Sequence, residues 1–92
     1  MTKDEIKVQV VVELERIQSI SGRPCPPITD QTRPLLDLPG FDSLNGIEAT
    51  SELEGVLGPL SVDNVFASES GKSARTLETI VSEILRAQRG AA

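Results

Sequence analysis

Five of the chain's six prolines, Pro24, Pro26, Pro27, Pro34 and Pro39, fall between Ser21 and Gly40. Each proline fixes its own φ and removes a backbone donor, so no long helix or strand crosses this stretch and a loop is expected over 21–42. In a chain of 92 residues there is room for one core only, so residues 1–92 form a single small domain in which that loop must be accommodated. Ile28, Leu35, Leu36 and Leu38 are spaced along it so that it can press aliphatic side chains onto a helical core. Long loops in small domains are functional or disordered, and these aliphatics favour an ordered one.

On either side of the loop the apolar residues recur at helical spacing. Thr2 followed by Glu5 forms a capping-box pattern that starts a helix on Lys3. Ile6, Val10, Leu14 and Ile17 carry it to about residue 20, where Gly22 ends the run. Val8 and Val10 to Val12 favour a strand locally, but no second β-rich run is present to pair with one, so a helix over 3–20 is expected. Asp42 is placed to cap a second helix over 43–57, stopped by Gly58 and Pro59. On it Gly46, Ala49, Leu53, Val56 and Leu57 share a core-facing side, and Leu44, Ile47 and Ser51 lie nearly opposite. Val62, Val65 and Phe66 predict a short helical turn over 61–66. Leu77, Ile80, Val81, Ile84 and Leu85 give the strongest amphipathic pattern, in a last helix opened by Thr76 and placed over 74–88. The expected fold is all-α, a bundle of three to four helices with a long first loop.

Several chemistries are excluded by what is missing. With no histidine, Ser-His and Cys-His hydrolases and His-ligated zinc have no basis. Cys25 is the sole cysteine, so neither an intramolecular disulfide nor a cysteine-rich metal cluster can form, and its proline-flanked position marks it as a loop residue without chemistry. Gly71-Lys72-Ser73 resembles the end of a phosphate loop, but the required first glycine falls on Phe66. Asn45-Gly46 followed by Glu52 mimics a calcium loop whose first ligand falls on Phe41. No acid-base pair or activated nucleophile can be named, and an enzyme is not expected. MTKDEIKVQVVVELER lacks the uninterrupted apolar stretch of a signal peptide, which predicts a soluble, cytoplasmic protein without membrane insertion.

A formal charge of -5 and only two aromatic residues, Phe41 and Phe66, argue against nucleic acid as a partner. The charge is unevenly distributed. Residues 34–71 hold seven acids and no base, leaving nine bases and seven acids elsewhere. An acidic middle of this kind suits docking to a basic partner; a solubilising face is the plainer alternative.

Leu38-Pro39-Gly40-Phe41-Asp42-Ser43-Leu44, at the start of the expected second helix, resembles the motif region of acyl carrier proteins, marked by an Asp-Ser-Leu triplet there. Helix order, the long first loop and the central motif extend the resemblance over most of the chain. It implies that Ser43 receives 4′-phosphopantetheine from coenzyme A and that the arm's thiol carries an acyl group as a thioester, in fatty-acid, lipid or specialised acyl metabolism. Asp42, besides capping, is implied to help a phosphopantetheinyl transferase recognise the site. Glu48 and Glu54 match the family's acidic docking positions, and with Leu44, Ile47 and Ser51 they make the expected partner surface. The implied partners are the transferase and acyl-loading or acyl-processing enzymes with basic docking patches, the carrier itself being a monomer. A phosphate on the first residue of a helix is favoured by unsatisfied amides and the helix dipole.

The chain departs from the family where Ala49, Thr50 and Ser51 replace large apolar residues and Asn45 replaces an acid. These departures indicate a specialised carrier. Thr50 and Ser51 are expected towards the face that meets an enzyme. A peptidyl or aminoacyl carrier, or an unmodified carrier-fold interaction module, are the alternatives; the former more often has a second glycine where Phe41 stands.

Overall fold

The computed structural model describes residues 1–68 and 70–90, in which four helices and no strand make a small, mostly helical domain. The first helix, α1 (Lys3–Ile20), begins at the Thr2 capping box: the Glu5 amide donates to Thr2 Oγ1 at 3.2 Å and the Thr2 amide to Glu5 Oε1 at 2.8 Å. Ile6, Val10, Leu14 and Ile17 form its buried stripe, leaving Val8 and Val12 on the outside. Burial of that stripe, at about 1.5–3 kcal/mol per large side chain, outweighs the weaker helix preference of the valine run. Gly22, at φ +69°, turns the chain out of α1, and the Arg23 amide bonds back to the Gln18 carbonyl at 2.8 Å.

The proline-rich stretch is an ordered strap. It contains one helical turn, α2 (Pro34–Asp37), where only loop was expected. Pro34 stands at the first position of that turn, where its missing amide costs nothing, and Asp37 accepts the Arg33 amide at 2.7 Å. Leu38 is buried and Ile28 and Leu35 pack against the core; Leu36, expected to do the same, points away at 72% exposure because the turn rotates it outward. The fully buried Gln18 donates through Nε2 to the carbonyls of Pro24 (3.0 Å) and Pro39 (2.8 Å), tying both ends of the strap to α1. A radius of gyration of 12.0 Å agrees with the roughly 12 Å of a compact chain this long, as a packed strap requires.

The next helix, α3 (Ser43–Leu57), and the last, α4 (Leu77–Gly90), both pack on α1. The strap also finishes α4: the Leu77 and Glu78 amides, which have no partner within the helix, donate to the carbonyls of Thr32 (2.8 Å) and Asp30 (3.0 Å). Thr76 Oγ1 accepts the Thr79 amide, so α4 begins at Leu77, later than the 74 expected, and it runs on to Gly90. Leu77, Ile80, Val81 and Ile84 are buried and Leu85 packs beside them.

The helical turn expected over 61–66 does not form. The amides it would need are taken by side chains: Val65 donates to Thr50 Oγ1 and Phe66 to Asn64 Oδ1, each at 3.0 Å, and Ser61 adopts φ +60°. Val65 and Phe66 are still buried, whereas Val62, expected inside, is exposed. Phe66 meets Phe41 edge to face, ring centroids 5.4 Å apart. No helix among the described residues is long and apolar enough to cross a membrane.

Candidate functional site

Asp42 and Ser43 stand at the N-terminus of α3, on a turn held from beneath by Phe41. Gly40 lies at φ +71° beneath the Arg23 side chain, where an added Cβ would come within 2.5 Å of Arg23 Cδ. Asp42 Oδ1 accepts the Asn45 amide at 3.0 Å, and the Asp42 amide donates to Asn45 Oδ1 at 3.3 Å, completing a capping box. Arg23 Nη1 donates to the same oxygen at 3.2 Å. Asn45 thus fits Asp42, Arg23 and the strap together by accepting from both, a role that an acid at this position could also fill.

This geometry leaves Ser43 solvent-exposed on the first turn. The Gly46 amide makes the first intrahelical bond, to the Asp42 carbonyl at 2.9 Å, and the Asn45 amide is capped. The Ser43 and Leu44 amides precede any intrahelical acceptor and are the two donors of that turn left to solvent or an anion. Such a turn suits a phosphate ester on Ser43 Oγ, a singly charged group when it is a diester.

Asn64 braces the turn from the other side. Its Nδ2 donates to the Ser43 carbonyl at 3.4 Å, and it lies so close over Gly46 that a Cβ there would meet Asn64 Oδ1 at 2.6 Å. The sequence reading missed Asn64, although a glycine inside an otherwise good helix was a signal of close approach. Beside Ser43 opens a groove of about 610 Å³ whose lining includes Asp63, Asn64, Ser68 and Arg75. Arg75 had no sequence signal. It reaches the groove because the Arg75 amide donates to the Phe66 carbonyl at 2.9 Å, beside the antiparallel bridge Ala67–Ala74.

The expected partner residues divide. Leu44 (62% exposed), Ile47 (44%), Glu48 and Ser51 share the outward face of α3. Glu54 stands apart, half-buried, its Oε2 accepting the Leu60 amide at 3.0 Å and closing the turn after the helix. Two residues reverse the expected facing. Thr50 is buried at 1% exposure, donating to the Gly46 carbonyl at 2.7 Å, and Val56, expected in the core, is 57% exposed beside Val12 and Glu52.

Cys25 is an exposed loop residue, its thiol pushed above the ordinary range by partial burial of the sulfur and, secondarily, by Glu15. Among the described residues no group of three His, Cys, Asp or Glu side chains is placed to hold a metal ion. Comparison with protein-family profiles, with curated proteins and with solved structures yields no match.

Proposed function

We propose that the protein is a carrier of the acyl-carrier type, which holds an acyl group as a thioester on a 4′-phosphopantetheine arm attached to Ser43. The observation that carries this reading is the exposed Ser43 on the first turn of α3, between the capping Asp42 and the outward Leu44, with two neighbouring amides free of intrahelical partners. Loading forms a phosphodiester bond between Ser43 Oγ and the phosphorus of the arm. The pyrophosphate bond of coenzyme A breaks, 3′,5′-ADP leaves, and the hydroxyl proton passes to the transferase or to solvent. Asp42 holds the turn so that Oγ faces outward, and Leu44, Ile47, Glu48 and Ser51 form the surface on which the transferase and acyl-handling enzymes dock. An apolar centre with an acidic rim matches basic, partly apolar partners.

Intact mass after incubation with coenzyme A and a phosphopantetheinyl transferase tests the reading. The expected result is one added phosphopantetheine, absent in Ser43→Ala, which stays helical. An unchanged mass in the parent chain would leave only an unmodified interaction module, and modification of the alanine variant would place the arm elsewhere. Loading of the arm by an adenylating enzyme with an amino acid, in preference to an acyl group, would move the protein to the aminoacyl or peptidyl carriers.

A further inference from the structure

We infer that the groove beside Ser43 receives a carboxylate-bearing acyl group, selected by Arg75; this rests on the arm being attached at Ser43. The groove is lined by polar residues, among them Asp63, Asn64 and Arg75, and by the apolar Val62 and Ala67. An alkyl chain gains free energy by covering apolar walls, at roughly 25 cal/mol per Å², but one long enough to cross the groove would also strip water from the polar residues without replacing their hydrogen bonds. The groove therefore suits a cargo with a short apolar stem and a polar end.

The guanidinium sets the charge of that cargo. Arg75 is half-buried and makes one side-chain hydrogen bond among the described residues, from Nη1 to the Val65 carbonyl at 3.4 Å. Among those residues no carboxylate lies within ion-pair distance of it. A planar guanidinium with donors to spare binds a carboxylate by two parallel bonds, which a lysine cannot reproduce. Asp63, in the same groove, repels an anion that comes near it, whereas Arg75 attracts one. The arm's phosphate is already provided for by the Ser43 and Leu44 amides, which leaves the cargo as the anion for Arg75. A second cleft of about 400 Å³, between Leu60 and Ile84, shares Ser61, Val62 and Arg75 with the first, so Arg75 stands where the two meet.

The test loads Ser43 from succinyl-, butyryl- or free coenzyme A, each product checked by mass, and follows the Arg75 Nε–H and Asn64 Nδ2 resonances. Succinyl loading is expected to shift both, more than either other form, with the difference fading at high salt and lost in Arg75→Gln; Arg75→Lys should restore only part of it. Identical spectra for the succinyl and butyryl forms, with Ser43 fully loaded, would overturn the inference and leave the carrier reading intact. A full shift already present in the unacylated arm would assign the anion to the phosphate and likewise overturn it. Failure of Ser43 to load would remove the carrier reading and this inference together.

Discussion

The Thr50 hydroxyl accepts the Val65 amide at 3.0 Å while donating to the Gly46 carbonyl at 2.7 Å. This one buried side chain joins the interior of α3 to the irregular segment that carries Val65 and Phe66 into the core. The hydroxyl matters because a buried amide left without an acceptor costs about 1–3 kcal/mol, more than the net value of one hydrogen bond.

Thr50→Val is therefore expected to lower stability by about 1–3 kcal/mol despite its near-identical shape, since the Val65 amide loses its acceptor. Thr50→Ser should lose less, keeping the bond and giving up a methyl group. Urea unfolding of the three proteins checks this; a valine variant as stable as the parent would show that water or a shifted backbone satisfies the amide.

The same contact explains where the sequence was legible and where it was not. The faces of α1 and α4 follow from their own spacing, because Ile6, Val10, Leu14 and Ile17, and Leu77, Ile80, Val81 and Ile84, leave few other residues to bury. The start of α3 follows from Asp42, whose capping is local chemistry. The facing of α3 does not: threonine and valine are nearly equal in size, and Val56 is outside and Thr50 inside because of a partner fifteen positions along the chain. Residues 61–66 failed for the same reason: Val65 and Phe66 are buried without a helix, and Val62 is left outside, once Thr50 and Asn64 have taken the amides. In the candidate site Ser43, Leu44, Ile47, Glu48 and Ser51 could be placed from the triplet and helical spacing. Asn64 and Arg75 could not, because only the tertiary fold brings them beside Ser43.

Gln18 offers a test of the strap. Replacing it by leucine removes donors from the Pro24 and Pro39 carbonyls and should cost about 1–3 kcal/mol. The consequence extends to the site, because Pro39 precedes the Gly40–Phe41 turn that presents Ser43. Faster amide hydrogen exchange at Gly40, Phe41 and Asp42 is expected in the variant, and unchanged exchange there would show that Phe41 alone holds the turn.

The two acids of the expected docking surface should behave differently. Glu48→Lys, on the exposed face, is expected to slow transfer of the arm to Ser43 with little change in stability, and added salt should slow the parent in the same way. Glu54→Lys should instead destabilise the fold, because the Leu60 amide loses its acceptor, whereas Glu54→Gln keeps one. Measuring transfer rate and urea midpoint for each separates docking from structure; a transfer rate indifferent to salt and to Glu48→Lys would point to an apolar interface.

Cys25 gives a built-in comparison for the arm's thiol. Partial burial and then Glu15 raise its pKa, so its thiolate is scarcer at neutral pH than an ordinary thiol's, and its alkylation should rise with pH through a midpoint above the usual range. Loading Ser43 should add a second, faster-reacting thiol that Ser43→Ala lacks. A Cys25 that reacts as fast as free cysteine at neutral pH would contradict the shift.

The last prediction concerns partner choice, and the burial of Thr50 narrows it to Ser51. Of the three successive small residues in α3, Ala49 and Thr50 belong to the interior and only Ser51 faces outward, in line with Leu44, Ile47 and Glu48. A partner built for a bulky aliphatic at that place loses roughly 1–3 kcal/mol of contact when it meets a serine hydroxyl. The arm-bearing protein is accordingly expected to be a poor substrate for housekeeping fatty-acid elongation enzymes, and Ser51→Met to improve it by about fivefold or more, since 1.4 kcal/mol is a factor of ten. Thr50→Val, added to it, should contribute nothing but lost stability. Comparing elongation rates of the parent, Ser51→Met and a standard carrier decides the matter: parent rates equal to the standard would show that this position does not set partner choice, and would return the protein to the housekeeping class.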